Sequence, residues 1–337
     1  MKGSYYIPVM LLLAASTVLA GKDKIVVAHR GASAYLPEHT LASKAMAFAM
    51  GVDYIEEDVV MTKDGRAVVL HDIHIDTVTD VGSKFPNRAR KDGRYYAIDF
   101  TLEELQTLKV HERMDLDKRA AVYPQRFPLG SSHFKIHTLE EEIEMIQGLN
   151  ESMKRSVGIY TEIKKPHWHR QEGSDISQRV IDILHGYGYR DKESKCYLQC
   201  FDAAELERIR NELKCKLKLV QLLAENSWEE SLSDYDWLKT SEGLEKVASY
   251  ADGLGPWIGQ IVTGRDEKGD LKMSSLVRDA QAFGLEVHPY TFRKDDLPIW
   301  ANDFDDLLRL FLFEIGVDGV FTDFPDHAVK LLRASGY

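Results

Sequence analysis

The feature that most constrains the fold is a regular alternation of short apolar runs with amphipathic helical segments. The run at residues 25–27 is followed by a helical pattern at 41–50, and the run at 157–163 is followed by one at 176–185. Such units recur close to eight times in a chain of 337 residues. This count predicts an α/β fold, a (β/α)8 TIM barrel of parallel strands. A doubly wound open sheet is the alternative, but no glycine-rich nucleotide-binding sequence follows any of the runs.

The alternation is interrupted after the second strand-like run. The runs at 53–60 and 67–70 are joined by a polar turn that is too short for a parallel crossover, so the connection is a hairpin or an irregular link. Residues 73–137 are polar and rich in turn-forming residues, which predicts a small inserted subdomain within a barrel spanning 21–337. An insertion that emerges beside a strand end is either a lid or specificity element or an irregular surface excursion.

Residues 1–20 have the pattern of a secretory signal peptide. Lys2 precedes an apolar segment, and small residues stand before a cleavage point at Gly21. The apolar run is too short to span a bilayer, and no cysteine follows the cleavage point. The pattern therefore predicts export without a stable membrane anchor. A buried first helix is the alternative, which the charged residues 22–24 disfavour.

The composition limits the kinds of binding partner that the chain can have. The net charge is −11 and the acidic residues are spread along the chain, which argues against nucleic-acid binding. A local group of cations can still attract a small anionic substrate.

Cys196 and Cys200 lie about 13 Å apart on one predicted strand, too far for a disulfide. Either can meet Cys215, and an odd count leaves at least one free thiol; three buried thiols are the alternative.

Three carboxylates at predicted strand ends are candidate metal ligands. Glu56 and Asp58 are two residues apart on a strand, so their side chains point to the same side, whereas Glu57 points to the other. Glu162 stands at the end of a later strand. Charges flanked by apolar residues are costly to bury without a partner. Hard oxygen ligands without cysteine indicate Ca²⁺ or Mg²⁺ rather than Zn²⁺.

Two histidines at strand ends are candidates for acid–base chemistry. His29 precedes Arg30, and His71 precedes Asp72. Histidine can both accept and donate a proton near neutral pH, as the cleavage of a phosphodiester requires. The Arg30 fork can bind a phosphate oxygen, and Lys164 adds a positive charge nearby. Together with the carboxylates, these residues predict metal-assisted chemistry on a phosphate ester.

These motifs resemble, in order and spacing, the signature of the glycerophosphodiester phosphodiesterase family, in particular its periplasmic bacterial type. The resemblance covers nearly the whole chain after residue 20. The sequence segments that carry it are Ala28-His29-Arg30-Gly31-Ala32, Pro37-Glu38-His39-Thr40, Glu56-Glu57-Asp58, Lys63-Asp64-Gly65, Leu70-His71-Asp72, Thr161-Glu162-Ile163-Lys164, Leu198-Gln199-Cys200-Phe201-Asp202, His288-Pro289-Tyr290-Thr291 and Phe321-Thr322-Asp323-Phe324-Pro325.

The resemblance implies a TIM barrel and the hydrolysis of glycerophosphodiesters to an alcohol and sn-glycerol 3-phosphate. The implied substrates include glycerophosphocholine, glycerophosphoethanolamine and glycerophosphoglycerol, and the implied compartment is the periplasm. The resemblance implies that His29 and His71 are the catalytic pair and that Arg30 and Lys164 bind substrate. It also implies that Glu56, Asp58 and Glu162 hold a divalent metal, with Ca²⁺ as the first expectation and Mg²⁺ as the alternative. The direction of proton transfer, the nucleophile, the head-group preference and the oligomeric state stay open.

Other functions and other residues also stay in view. The alternative function is a non-catalytic periplasmic binding protein for phosphate esters, which has no need for two histidines. A surface or adhesive role is permitted by the insertion but demanded by no sequence feature. His39 is close to the site in sequence, but the pattern Glu38-His39-Thr40 is as likely to cap the helical segment at 41–50, with Thr40 or Glu38 as the capping residue. Asp323 is expected to hold a neighbouring loop rather than touch substrate.

Overall fold

The computed structural model describes residues 24–131 and 133–336. The predicted leader, residues 1–20, lies outside the described residues. Eight parallel strands form the centre of the structure. They are β1 (Ile25–Ala28), β2 (Tyr54–Met61), β3 (Gly158–Ile163), β4 (Cys196–Cys200), β5 (Lys218–Leu223), β6 (Gly253–Pro256), β7 (Glu286–Val287) and β8 (Gly319–Thr322).

The strands follow one another around a barrel in chain order. Parallel ladders join each strand to the next from β1 to β7, and β1 also pairs with β8. The remaining gap is bridged by backbone hydrogen bonds, among them Asp318 N–H to the Val287 carbonyl (2.9 Å) and Phe292 N–H to the Phe321 carbonyl (2.8 Å). The predicted TIM barrel is therefore confirmed. Part of its interior is filled by aromatic rings, with Tyr160 stacked on Tyr197 at 4.6 Å between ring centres.

Helices between the strands cover the outside of the barrel and bury their apolar stripes against it. Two of them begin at predicted caps, since Thr40 accepts from Ser43 N–H and Thr138 forms a capping box with Glu141. The longer helices are Leu41–Met50, Leu139–Met153, Ile176–Gly186, Ala203–Asn211, Ser241–Ala248, Leu276–Ala282, Phe304–Arg309 with a π-helical extension Leu310–Ile315, and Pro325–Ala334. The shorter ones are Pro166–Gln171, Asn226–Trp228, Tyr235–Leu238 and Ile258–Ile261.

The connection after β2 is a hairpin. A short strand, Ala67–Val69, runs antiparallel to β2, with Val69 opposite Val59. Leu70 N–H then donates to the Asp58 carbonyl at 2.9 Å. The hairpin thus returns the chain to the carboxyl end of β2 and brings His71 beside Asp58.

The segment that follows the hairpin packs around an apolar cluster separate from the main core. Ile75, Val78, Phe100 and Leu105 are buried there together with Val60 and Val68 of the hairpin. Its regular elements are short, because tight turns separate them: Val81–Lys84, Ala97–Asp99, Leu102–Gln106, and the strand pair Met114–Asp115 with Ala120–Ala121. The boundaries 73–137 stay a prediction.

From the sequence, the patterns at 102–110 and 271–283 each predict one helix, and both predictions are wrong in part. The first helix ends at Gln106, and Val110 beyond it bridges Phe134, which is distant in sequence. The second segment begins as a strand, Leu271–Met273, which forms a local hairpin with Val262–Arg265, and the segment becomes helical only at Leu276.

All three cysteines are free and buried. Of the alternatives that the sequence left open, three buried thiols is the one observed. Burial raises the pKa of the Cys196 thiol, so it stays protonated and packs as an apolar group. Within the described residues, no helix combines the length and the apolar character needed to cross a bilayer.

Candidate active site

A cavity of about 230 Å³ opens at the carboxyl ends of the strands, where a barrel places its catalytic loops. Six of the seven residues for which the sequence predicts catalytic, substrate-binding or metal-binding roles line it. They are His29, Arg30, Glu56, His71, Glu162 and Lys164. Asp58, the remaining one, is fully buried and ion-paired to residues of this set. The structure therefore brings all seven predicted residues together, while their roles stay predictions.

His29 is held at the end of β1 by a buried carboxylate. Its Nδ1 lies 2.6 Å from Oδ1 of Asp323, which follows β8. Burial, with Arg30 nearby, lowers the pKa of His29 to about 3, so the ring is neutral at neutral pH. Since an ionised carboxylate can only accept, the Nδ1 proton belongs to His29. Its Nε2 is then left with a lone pair that can take a proton.

His71, which follows the hairpin strand Ala67–Val69, is held in the same way. Its Nδ1 lies 2.6 Å from Oδ1 of Asp72, the next residue. Burial and the charges of Arg30 and Lys164 lower the pKa of His71. Both histidines therefore have Nδ1 fixed by an aspartate, which determines the ring orientation and the tautomer.

Two of the predicted metal ligands meet a third group, His39. Glu56, Asp58 and His39 offer ligand atoms that all lie within 4.8 Å of one another. His39 has a left-handed backbone (φ 54°), and its Nε2 lies 2.7 Å from Oδ2 of Asp58. The neighbouring Thr40 makes the helix cap, as one of the two expected capping residues. Oδ1 of Asp58 is buried and has no hydrogen-bond partner among the described residues.

The electrostatics of this cluster suit a divalent cation. Burial and the neighbouring Asp58 raise the pKa of Glu56 well above its usual range. Although burial opposes ionisation, Lys164 and His71 hold the pKa of Asp58 well below its usual range. Carboxylates packed this closely cannot all be charged unless a cation joins them. The oxygen-rich donor set, with an Asp58 oxygen that accepts no hydrogen bond among the described residues, therefore fits a divalent cation.

Glu162 lies beside this cluster and is paired with Lys164. The two side chains are 2.7 Å apart, and the register of β2 and β3 places Asp58 directly opposite Glu162. Burial, with the Asp58 charge, raises the pKa of Glu162 to about 8. The pKa of Lys164 is raised because Glu162 and Asp58 outweigh the effect of burial. Glu162 is thus adjacent to the three clustered groups, and its carboxylate is available to a cation in place of Lys164.

Arg30 lies between the carboxylates and the cavity. Its Nη1 donates to both oxygens of Glu38 at 3.1 Å, and its Nε is 3.7 Å from Oδ2 of Asp58. This Nε has no hydrogen-bond partner among the described residues. Arg30 therefore keeps a donor for an anionic oxygen, as expected for a phosphate contact.

Three side chains were missed or undervalued in the sequence. Asp323 orients His29 directly, although the sequence suggested only a loop contact. Arg113 and Arg126 of the insertion pair with Asp72 and Asp323, and neither was singled out. Their contacts span long sequence separations, and no local pattern marks an arginine in an irregular segment.

Comparison with known proteins places this site in a family. The model of the glycerophosphoryl diester phosphodiesterase family matches residues 29–327. The glycerophosphodiester phosphodiesterase of Haemophilus influenzae is 49% identical over 92% of this chain and 90% of its own length. That of Treponema pallidum is 39% identical over 98% of each chain. A solved Oleispira antarctica phosphodiesterase, in complex with its product sn-glycerol-3-phosphate, superimposes with a TM-score of 0.62 at 20% identity, over 92% of this chain and 96% of its own.

The two relatives match over almost their whole length, and the solved structure shows the same fold. The family match begins at His29 and includes every residue singled out from the sequence. The family expected from the motifs is therefore confirmed: this chain belongs to the glycerophosphoryl diester phosphodiesterase family.

Proposed function

We propose that this enzyme hydrolyses glycerophosphodiesters to an alcohol and sn-glycerol 3-phosphate in a reaction that depends on a divalent metal. The observation that carries the proposal is the content of one cavity. Two histidines with fixed rings, three clustered carboxyl groups and two cationic side chains line or adjoin the same space. Cleavage of a phosphodiester requires a proton acceptor, a proton donor and positive charge beside the phosphoryl oxygens, and these groups supply all three.

The metal would be held by Glu56 and Asp58 together with Glu162, with His39 as a further ligand or as the group that orients Asp58. When bound, a divalent cation neutralises charge on phosphoryl oxygens and lowers the pKa of a hydroxyl bound to it. Arg30 donates from its free Nε to a phosphate oxygen, and Lys164 adds positive charge beside it. Ca²⁺ is the first expectation and Mg²⁺ the alternative.

The histidines exchange the protons. Nε2 of one histidine accepts a proton from the attacking hydroxyl as the new P–O bond forms. The other histidine enters this step as an imidazolium, gives its Nε2 proton to the alcohol oxygen as the old P–O bond breaks, and ends neutral, so the proton count balances. Asp323 and Asp72 stabilise the ring that becomes an imidazolium, because each carboxylate lies 2.6 Å from Nδ1 of its histidine. The attacking hydroxyl comes from water or from the glycerol of the substrate.

Glycerophosphocholine, glycerophosphoethanolamine and glycerophosphoglycerol are the proposed substrates. The product bound to the Oleispira antarctica phosphodiesterase supports a glycerol phosphate product here. A binding protein for phosphate esters is not favoured, since mere retention of a ligand needs no pair of proton carriers. Export by residues 1–20 to the periplasm is part of the proposal, and it is tested by fractionating cells that express the full chain.

A coupled assay tests the reaction and its metal together. The protein is incubated with glycerophosphocholine, and sn-glycerol 3-phosphate is followed with its dehydrogenase. Release is expected with Ca²⁺ or Mg²⁺, loss after exhaustive chelation, and recovery when either ion is restored. Product pre-added to chelated samples controls for chelator effects on the coupling enzyme. No release with either metal would refute the reaction, and release that survives chelation would refute the metal dependence.

A further inference from the structure

Two arginines of the insertion reach the carboxylates behind the two histidines. Arg113 follows the short helix Leu102–Gln106, and Arg126 follows the small strand pair. Both line a cavity of about 190 Å³ that also contains His29 and His71. The barrel supplies the histidines, and the insertion supplies a cation to each aspartate that orients them.

Arg113 connects His71 to Arg30. Its Nη1 donates to Oδ2 of Asp72 at 2.6 Å, while the other oxygen of Asp72 holds His71. Its Nε and Nη2 donate to the two oxygens of Glu38 at 2.9 and 2.6 Å, and Glu38 in turn accepts from Arg30. One guanidinium therefore fixes the partners of a candidate acid–base residue and of a candidate phosphate ligand.

Arg126 makes the equivalent contact on the other side. Its Nη2 donates to Oδ2 of Asp323 at 2.8 Å, and Oδ1 of Asp323 holds His29. Its Nε and Nη2 also form a fork on Asp295, and only 5% of its side chain is exposed. Although burial opposes ionisation, Arg293, His29 and Arg126 hold the pKa of Asp323 well below its usual range.

We propose that Arg113 and Arg126 are positioning residues, through which the insertion completes the acid–base pair of the barrel. Neither is a phosphate clamp, because the nitrogens of Arg113 and the Nε and Nη2 of Arg126 already donate to carboxylates. Their effect passes through Asp72 and Asp323 to the rings of His71 and His29. This inference rests on the proposed function, since it assigns roles within that reaction.

The two arginines differ in how replaceable they are. Asp323 keeps a second arginine, Arg293, at 2.8 Å when Arg126 is removed. Among the ion pairs of the described residues, Asp72 has no arginine other than Arg113. Loss of Arg113 also releases Glu38 and with it Arg30. Arg113→Ala should therefore reduce turnover more than Arg126→Ala.

The test compares kcat and KM for glycerophosphocholine among the full-length wild type, Arg113→Ala, Arg126→Ala and the control Arg94→Ala. Arg94 is an insertion arginine that forms a similar fork, on Asp76 at 2.7 and 2.8 Å, and within the described residues it is not hydrogen-bonded to Asp72, Asp323 or Glu38. We expect kcat to fall by about 10- to 100-fold in Arg113→Ala, as for other partners that orient an active-site group. Arg94→Ala should keep the wild-type kcat, and KM should change by less than about threefold in Arg94→Ala and Arg126→Ala but rise in Arg113→Ala, where Arg30 also loses its orientation.

Two further measurements separate positioning from a general loss of structure. Millimolar guanidinium should restore part of the turnover of Arg113→Ala but none of that of His71→Gln. In an Asp323→Asn background, Arg126→Ala should lower kcat by less than about twofold, because the carboxylate through which Arg126 acts on His29 is already absent. If Arg113→Ala does not melt cooperatively, Arg113→Lys is measured in its place. This variant keeps the positive charge but cannot reach both carboxylates, so its turnover should also fall.

An active wild type whose Arg113→Ala and Arg126→Ala variants match Arg94→Ala would overturn the inference. Full turnover in Arg113→Lys would do the same, because charge alone would then suffice. A wild type without turnover would instead refute the proposed function, so the two failures are distinguishable.

Discussion

Asp323→Asn is the substitution whose effect the structure defines most sharply. The carboxylate is 1% exposed, and its two oxygens accept from His29 at 2.6 Å and from Arg126 and Arg293 at 2.8 Å. An amide has nearly the same shape but can turn its NH₂ toward His29. The ring must then accept at Nδ1, which moves its proton to Nε2 and removes the lone pair that faces the cavity.

The expected loss in kcat is about 10³- to 10⁴-fold, the size found when the carboxylate behind the histidine of a serine protease becomes an amide. The same change removes a buried negative charge that is paired with two arginines, which costs about 3–5 kcal/mol in the free energy of unfolding. The two effects are separable, because kcat is measured on the folded fraction and the free energy by denaturant titration.

The pH dependence of the free energy of unfolding tests the ionisation of the same carboxylate independently. The pKa of Asp323 is held well below its usual range, so its contribution to stability is present above the unfolded pKa of about 4 and is lost as pH falls. Asp323→Asn should therefore lose stability at neutral pH but lose less on acidification than the wild type. A folded Asp323→Asn with kcat within threefold of wild type would refute the reasoning about the His29 tautomer.

Three further predictions address other parts of the site. His71→Gln should lower kcat by about 10²- to 10⁴-fold in the coupled assay, and a loss below tenfold would contradict its proton-transfer role. His39→Gln should weaken Ca²⁺ binding by about 10- to 100-fold in titration calorimetry, whereas unchanged affinity would remove it from the metal site. Gly31→Ala should lower the free energy of unfolding by about 1–3 kcal/mol relative to Gly65→Ala. Both glycines have positive φ, but only at Gly31 would the new Cβ approach Ser43, at 2.5 Å from its Oγ and 2.9 Å from its carbonyl carbon.

The barrel was predictable because its signal is local. Each strand and its helix are encoded within about thirty consecutive residues, and the spacing of Glu56 and Asp58 alone places their side chains on one side of a strand. The motifs at strand ends then identify most of the site, since a barrel brings the ends of its parallel strands together. The hairpin after β2 resolved what the sequence left open, the way in which His71 reaches Asp58.

The rest could not be read locally because it depends on contacts between distant residues. Arg126 and Asp323 are 197 residues apart, and Arg113 and Glu38 are 75 apart. An irregular segment has no periodicity that would predict which of its arginines turns inward. The contact of His39 with Asp58 was undervalued for a related reason: the pattern at 38–40 indicates a helix cap, which Thr40 makes, and the left-handed backbone at His39 is not evident from the sequence.

The most direct test of the central claim is ³¹P NMR of glycerophosphocholine during incubation with the protein and Ca²⁺. The account predicts that the phosphodiester signal is replaced by one phosphomonoester signal that coincides with added sn-glycerol 3-phosphate. It also predicts that the signal does not change with His29→Gln or after chelation. A persistent diester signal with the wild type, or a product that coincides with phosphocholine, would contradict the account, because no bond or the wrong P–O bond would then be broken.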